Sequence, residues 1–388
     1  MRQGSMRAGR FVRQVAGYVA FEPAPLPPVP PVVIDAALQR LLSAADLALG
    51  RLDGAISVLP HPDRFVLMYV RKEAVLSSRI EGTRSTLRDL VAAEADLAPA
   101  GTPDDVEEVR NYVAALNHGL AQLAELPVSV RLIREIHAQL LAGVRGGHLR
   151  PGELRTSQNW IGPPGSTLNS ASFVPPPPHL LGPALGDLER WLHTDDDLPA
   201  LVRVGLAHVQ FETIHPFLDG NGRVGRLLIT FLLTERGILR APVLYLSDWF
   251  QSQRFEYYAR LQAVHEQGDW EGWLRFFLTG VATVAAGATA TARAVLALRE
   301  AHRALLVEDL GRATAGGLRL LEALYQHPLV TVASAAEVSG LSRPAAATLV
   351  DRLVELGLLR ELTGQRRHRR FSYAPYLALF EEGAAPAV

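Results

Sequence analysis

Positions 215 to 226 read His215-Pro216-Phe217-Leu218-Asp219-Gly220-Asn221-Gly222-Arg223-Val224-Gly225-Arg226, placing an imidazole, a carboxylate, three glycines and two guanidiniums within twelve residues. Transfer of a phosphate-borne group calls for this mixture: a base for the proton of an attacking hydroxyl, an oxygen ligand for a divalent metal, and backbone N–H groups with fixed positive charge to hold the anion. His215, with an ordinary pKa of about 6.5, can take the proton. Asp219, just before the turn, offers the hard oxygen that suits Mg²⁺. The glycines let backbone amides approach an anion, and the helix they open directs its positive dipole end at the same point. Arg223 and Arg226 are three apart, so they lie on one helix face and can clamp successive phosphates. Gly220 to Gly225 also spells G-x-G-x-x-G, but that dinucleotide fingerprint must follow a strand. Here Val202, Leu206, Val209 and Thr213 form one stripe of a preceding helix.

The elements that must position these groups are predicted to be helices. Apolar residues recur at helical spacing over Ile34 to Leu52, Asp63 to Glu81, Ser85 to Leu97, Asp104 to Ala124 and Ser129 to Leu141. The fourth starts from a Thr102-Pro103-Asp104-Asp105 signal. Helices resume over Leu180 to Leu192, Pro199 to Thr213, Arg223 to Thr234, Gln251 to Glu266 and Trp270 to about Val307. Six prolines between Pro23 and Pro31 make a stiff, extended entry. From Gly146 to Pro183, Gly, Pro, Ser and Asn dominate, and a short hairpin over Arg155 to Val174 is the regular structure that fits. It reads as a surface loop or as a flap facing a substrate.

Bulk properties exclude several classes. A net charge of −1 gives no global field toward nucleic acid or membrane, and the absence of cysteine removes disulfides, zinc-thiolate sites and thiol nucleophiles. Met1 to Phe21 carries Arg2, Arg7, Arg10 and Arg13 but no apolar run of the kind a secretory signal needs, so a cytoplasmic setting is expected. Val281 to Leu298, interrupted by Gly287 and Arg293, is expected to be a packed helix with no membrane role.

Upstream, Ser77-Ser78-Arg79-Ile80-Glu81-Gly82 ends a helix: Ser77 and Glu81 share a face, and Gly82 is a natural residue to follow the last turn. A carboxylate there opposes the dipole and wants a cationic partner, for which Arg79, Arg84 or solvent would suffice on spacing alone. Beyond Gly316 a separate unit reads as helix, helix, turn, helix and basic hairpin: Gly317 to Gln326, Val332 to Val338, Arg343 to Leu356 with Ser342 as N-cap, then strands over Leu358 to Leu362 and Arg369 to Tyr373. Between Gly340 and Tyr373 seven arginines face Asp351, Glu355 and Glu361, a local excess of positive charge. Its hairpin tip could contact phosphates, but the helix before it, with Asp351, Glu355 and many alanines, is poorly equipped to read bases.

The twelve-residue segment resembles the signature of the Fic (filamentation induced by cyclic AMP) family, H-P-F-x-D/E-G-N-G-R-x-x-R, at every defined position. Gly152 to Arg155, Gln158 to Gly162, Pro175 to Pro178 and Leu244 to Ser247 followed by Tyr257-Tyr258 resemble it too, over roughly Val32 to Leu278. The resemblance implies a mainly α fold: a Fic-type helical core with a short β-hairpin flap, followed by a segment that resembles a winged helix domain. The expected organisation is a Pro-rich extension over 1–31, a helical region with an inhibitory helix over 32–125, a catalytic core with linker helix over 126–310, and a winged helix domain over 311–388. The implied activity is transfer of AMP from ATP, with Mg²⁺ or Mn²⁺, to a Ser, Thr or Tyr hydroxyl of a target protein or of the chain itself. His215 would be the base and Asp219 the metal ligand. Gly220, Asn221 and Gly222 would form the anion hole, with Val224 and Gly225 in the same nucleotide-binding turn. Arg223 would bind the phosphates and Arg226 the γ-phosphate. Ser166, Thr167, Leu168 and Phe173 would belong to a flap that clamps the target by strand addition. Tyr258, with Tyr257, stands at the adenine side or packs in the core. Ser77, Glu81 and Gly82 resemble the family's inhibitory motif, so Glu81 would compete with the γ-phosphate for Arg226; in some relatives the same Glu is thought to help remove AMP. Three alternatives stay open: a nucleotide-sensing transcription regulator, transfer of UMP or phosphocholine, and hydrolytic reversal. Partners implied for the C-terminal domain are DNA, a protein or a second copy of the chain.

Overall fold

The computed structural model describes residues 5–98, 101 and 103–381; Arg2 and Thr102, both noted in the sequence, lie outside them. Two compact units emerge. The first takes in the described residues up to Gly50, Leu76–Thr83 and Glu107–Ala285; the second takes in Arg51–Val75, Arg84–Val106 and the described residues from Ala286 on.

Strands absent from the sequence reading open the first unit. β1 (Gly9–Arg13) and β2 (Val19–Pro23) pair antiparallel with Phe11 opposite Phe21. Each is too short for alternation to announce it. Phe21 is fully buried and its N–H donates to the Val174 carbonyl at 2.8 Å, so tertiary contact selects the strand.

Helices account for most of the rest. α1 (Ala36–Ser57), α2 (Pro62–Ile80) and α3 (Leu87–Glu94) lie within the expected segments to a few residues; α3 starts from a capping box in which Thr86 and Asp89 satisfy each other's backbone N–H groups. α4 (Val106–Gln122) begins with Glu107 and Glu108 in its first turn, where the dipole favours acids. The Asp105 carboxylate accepts from the Arg84 and Ser85 amides instead of capping α4. α5 (Val130–Leu140) is capped by Ser129 and buries Leu132, Ile133, Ile136, His137 and Leu140 on one stripe. α6 (Leu181–Leu192) leads into α7 (Ala200–Ile214), which is buried from Leu201 through Ile214 and forms the centre of the core. α8 (Asn221–Glu235) packs on it, followed by α9 (Ser247–Ser252) and α10 (Arg254–Gln267), which divide the segment expected as one helix. α11 (Trp270–Asp309) buries Trp270, Trp273, Leu274, Phe277, Leu278 and Val281 along its first half. By length and composition it is the one helix among the described residues apolar enough to cross a membrane.

The second unit closes with α12 (Thr314–Leu324), β3 (Leu329–Thr331), α13 (Val332–Ser339), α14 (Arg343–Glu355), β4 (Arg360–Glu361), β5 (Arg370–Ser372) and α15 (Ala374–Ala378). The three strands form an antiparallel sheet in the order β3-β5-β4, and Gly340, with φ 68°, makes the turn between α13 and α14. β3 and α15 escaped the sequence reading. Ser342 occupies the N-cap of α14 as expected, but its side chain makes no capping hydrogen bond.

A close helix approach fixes α8. A Cβ on Gly119 of α4 would collide with the Phe231 ring of α8, which is 1% exposed. Helix propensity favours alanine over glycine by about 1 kcal/mol, but overpacking a filled core costs about 1–3 kcal/mol. Gly119→Ala is therefore expected to lower stability in urea denaturation; a raised midpoint would contradict the packing.

Candidate active site

The site is the turn between two buried helices. α7 ends at His215, which adopts the left-handed conformation (φ 48°, ψ 61°), and Gly220 repeats it at the N-cap of α8 (φ 76°). A non-glycine residue held there is locally strained, and its surroundings must hold it in place. They do so from three sides. The Asn221 side chain accepts from the Phe217 N–H at 2.9 Å and donates to the Phe217 carbonyl at 2.8 Å, and Asn159 donates to the same carbonyl at 2.8 Å. Arg155, buried, donates from Nε to the His215 carbonyl at 2.9 Å. His137 on α5 stacks on Phe217 with ring centroids 3.7 Å apart; its Nδ1 accepts from the Gly152 N–H at 2.8 Å, so Nε2 carries the proton and donates to the Asp219 carbonyl at 3.0 Å.

Burial governs the titration of this turn. It lowers the His215 pKa to about 4; Arg155 adds to the effect, while the Glu212 carbonyl and the carboxylates of Glu81 and Asp219 oppose it. The imidazole is therefore neutral around pH 7, as a proton acceptor must be. Burial also lowers His137 to about 4 and raises Glu212 to about 7. Beyond His215, the N–H groups of Asn221, Gly222 and Arg223 open α8 without intrahelical acceptors, while the Val224 N–H already bonds to the Gly220 carbonyl. These amides are donors that an anion could use, but the Gly220 N–H, expected with those of Asn221 and Gly222, is taken by Asp219 Oδ1 at 2.7 Å.

Two guanidiniums extend that set, and both already have acidic partners. Arg226 donates from Nε to Ser77 Oγ at 2.8 Å, and from Nη2 to the Ser77 carbonyl at 3.0 Å and to Glu81 Oε1 at 2.7 Å. Its side chain is 2% exposed and that of Glu81 is 32% exposed. Burial, the largest single influence, opposes ionisation of Glu81, but the charge and hydrogen bond of Arg226, with smaller help from Arg223 and His215, together hold the carboxyl below its ordinary range. Arg223 donates from Nη1 to Glu108 Oε2 at 3.2 Å. Gly82 follows Glu81 with φ 101°, ending the α2 segment.

Asp219 fits a metal that takes one carboxylate from the protein. Its Oδ1 accepts from the Gly220 N–H at 2.7 Å, and its Oδ2 faces Gly146, where a Cβ would come within 2.6 Å. Among the described residues no group of three or more His, Cys, Asp or Glu could hold a metal unaided. Mg²⁺ commonly binds through one or two carboxylates with substrate phosphates and water completing its shell, which is the pattern this donor set allows.

Some expected roles shift. The flap is reduced to one bridge, Ile161 with Phe173, and Phe173 is buried against His265 with centroids 4.1 Å apart, so it anchors the flap base and does not face a target. Ser166 donates to the Pro163 carbonyl and Thr167 bonds to Ser170, tying the exposed tip to itself, with Leu168 half-buried between. The Asn221 side chain holds the loop closed, leaving only its N–H for the anion hole. Val224 is 1% exposed within the core, and Gly225 backs onto Glu212, so neither offers a side-chain contact to a nucleotide. Tyr257 is a core residue whose hydroxyl bonds to His208 at 2.9 Å, while Tyr258 is 42% exposed. Glu108, Arg145, His137 and Arg155 were not recognised as site residues in the sequence. Glu108 carried a weak signal as an acid in a helical first turn; a lone His on an apolar stripe carried none.

Comparison with known proteins finds relatives of three parts of the chain. Residues 39–121 match the Fic/DOC family N-terminal region, residues 127–233 the Fic/DOC family, and residues 318–370 the MarR family. Over 229 residues the chain is 31% identical to the protein adenylyltransferase Fic of Drosophila melanogaster and to that of Drosophila yakuba; the match covers 56% of this chain and 42% of each relative. The chain thus spans less than half the length of these relatives. Among solved structures, a Fic family protein from Desulfovibrio desulfuricans G20 aligns with TM-score 0.58 at 21% identity, covering 88% of this chain and 97% of that one. A Fic domain containing signaling protein from Bacteroides thetaiotaomicron VPI-5482 aligns with TM-score 0.52 at 19% identity, covering 66% and 95%. The fold is shared with both, and the chain carries a Fic/DOC-family N-terminal region and a Fic/DOC-family domain, followed by a MarR-family winged helix region.

Proposed function

We propose that the chain is a protein adenylyltransferase held off by its own Glu81. One observation carries the reading: the guanidinium that the motif offers to an anion is already filled, by Glu81 at 2.7 Å with Ser77 completing the grip. The name of the Drosophila relatives supports AMP as the transferred group. In the reaction a target Ser, Thr or Tyr hydroxyl oxygen attacks the α-phosphorus of ATP. A new P–O bond forms, the bond to the bridging oxygen breaks, pyrophosphate leaves, and the hydroxyl proton passes to His215. The amides opening α8 and the side chain of Arg223 stabilise the charge on the phosphate oxygens. Mg²⁺, held by Asp219, would neutralise phosphate charge. The flap tip at Ser166 and Thr167 would present backbone to the target, and Tyr258 would flank the base. The absence of cysteine supports a cytoplasmic setting.

While Glu81 occupies Arg226, the γ-phosphate lacks its cation. A charge-assisted hydrogen bond of about 1.5–3 kcal/mol corresponds to suppression of roughly tenfold to a hundredfold. Glu81→Gly is expected to raise self-labelling from α-³²P-ATP by that factor, and His215→Ala to abolish it. Equal labelling with and without Glu81 would remove it from the regulation. A panel of α-labelled nucleotides tests base choice, and release of label from modified protein tests hydrolytic reversal.

The histidine titration gives a second outcome. His215 must be neutral to act, and burial lowers its pKa to about 4 from 6.5. In the Glu81→Gly chain, kcat/KM is therefore expected to show no histidine inflection between pH 6 and 7. The depressed histidines also set the sign of the stability change: below about 6.5 the unfolded chain binds protons that folded His208 and His265, each at about 3, refuse, so stability is lost as pH is lowered from about 6.5 toward 3. An activity midpoint near 6.5 in still-folded protein would count against His215 as the base in this setting.

A DNA contact is proposed for the winged helix region. Arg352 is paired with Asp309 and Glu355, and Arg369 with Asp351, but exposed Arg343, Arg366 and Arg367 form no ion pair among the described residues. Two of these three lie on the hairpin tip, where phosphates can reach them. Replacing Arg366 and Arg367 together by Ala is expected to weaken duplex binding and to flatten its logarithmic salt dependence by about 2. No gel shift at low salt by the unaltered chain would end this assignment and leave a protein partner or a second copy as the occupant.

A further inference from the structure

Arg223 and Arg226 stand one turn apart on α8 and are both buried, yet their carboxylate partners engage them differently. On Arg226 the edge formed by Nε and Nη2 is filled, by Ser77 and Glu81. On Arg223 the corresponding edge carries no hydrogen bond: Nε is buried without a partner, and Nη2 makes only a long ion pair with Asp219 Oδ1 at 4.0 Å. Glu108 holds only the other terminal nitrogen, Nη1, at 3.2 Å. That carboxylate is well placed to hold a fixed position. It sits in the first turn of α4, 6% exposed, and its Oε2 also accepts from Arg145 at 3.4 Å.

We infer that Glu108 is a positioning residue for nucleotide binding: it neutralises buried Arg223 and turns its Nε–Nη2 edge toward the anion hole, whereas Glu81 closes that same edge of Arg226. The inference rests on the nucleotide-transfer reading above. A guanidinium that is 1% exposed cannot remain without a counter-charge. Without Glu108 the nearest carboxylate is Asp219, four residues back along the chain and offered to the metal. Arg223 would then swing onto Asp219, withdrawing one group from the phosphates and compromising the other as a metal ligand. Two carboxylates of the N-terminal helical region thus act in opposite senses on neighbouring arginines, one keeping a phosphate subsite open and one keeping the next closed.

The test uses the full chain in its Glu81→Gly form, with and without Glu108→Gln. Calorimetry measures equilibrium binding of ATP with Mg²⁺, and labelling is followed against ATP and against Mg²⁺. Expected for Glu108→Gln are a rise of at least tenfold in the Kd for ATP and an increased Mg²⁺ concentration for half-maximal labelling, in protein whose melting transition remains cooperative. The second effect separates positioning from general loosening, because a packing defect has no reason to raise the metal requirement selectively. If Glu108→Gln does not fold, Glu108→Asp keeps the charge at shorter reach and is expected to give the same two changes in smaller measure. Unchanged ATP affinity and Mg²⁺ requirement in the folded variant would overturn the inference, as would tighter ATP binding, which would make Glu108 a second inhibitor. A Glu81→Gly chain that binds no ATP at all would overturn the transferase reading along with it.

Discussion

Two guanidiniums are buried in the first turns of α8, at the end of the helix where the macrodipole is already positive. This arrangement governs the site. Arg223 and Arg226 repel the dipole and each other, and neither can be hydrated where it lies. The fold tolerates them only because acids arrive from elsewhere: Glu108 from the start of α4 and Glu81 from the end of α2, the latter 145 residues upstream of Arg226. A site with two buried guanidiniums at a helix N-terminus is necessarily one that attracts anions, and here the protein's own carboxylates occupy it. The proposed autoinhibition would follow from the electrostatics of such a site, which must be stable while empty.

The loop between the helices meets a different demand. Its amides can point at an anion only if residues 215 to 220 hold a shape that the backbone does not favour, with His215 and Gly220 both left-handed. Asn221 closes the loop through both backbone groups of Phe217, while His137 and Arg155 grip the carbonyls of Asp219 and His215. These are hydrogen bonds to main chain, so they fix geometry without drawing on the side chains that do the chemistry. Burial of the same turn keeps the His215 imidazole neutral. Rigidity and the neutral state of the imidazole therefore have one source, the packing of α5, α7 and α8 around the turn.

How much of this could be seen in the sequence depended on range. The twelve-residue motif is contiguous, so its residues could be singled out from spacing, and the helices around it from apolar periodicity. Pairing of Glu81 with Arg226 was not legible from spacing, which allowed Arg79, Arg84 or solvent to serve as well; only the resemblance pointed to Arg226. Glu108 was invisible as a site residue because an acid in a first turn is already explained by the dipole. The β1–β2 hairpin was missed because strands of five residues, selected by contact with Val174, carry no alternation that stands out locally. In the winged helix region the turn glycine and the basic tip were legible, whereas β3, three residues long, was defined only by its pairing to β5. Phe173 misled because a loop sequence does not say which of its apolar residues turn inward.

The same geometry makes the two partners of the Glu81–Arg226 pair unequal. Arg226 is almost wholly buried, but Glu81 keeps 32% of its side chain exposed and sits where the α2 dipole disfavours a carboxylate by about 0.3–1 kcal/mol. Beyond it, Gly82 ends the segment with a positive φ that only glycine adopts without strain. The cation is held by the core and the anion by a helix end, so the member of the pair that gives way is Glu81. On the proposed reading a triphosphate would bring several charges to the same place and would also engage Arg223 and the α8 amides, so that its competition with Glu81 would turn on how firmly the last turn of α2 is held.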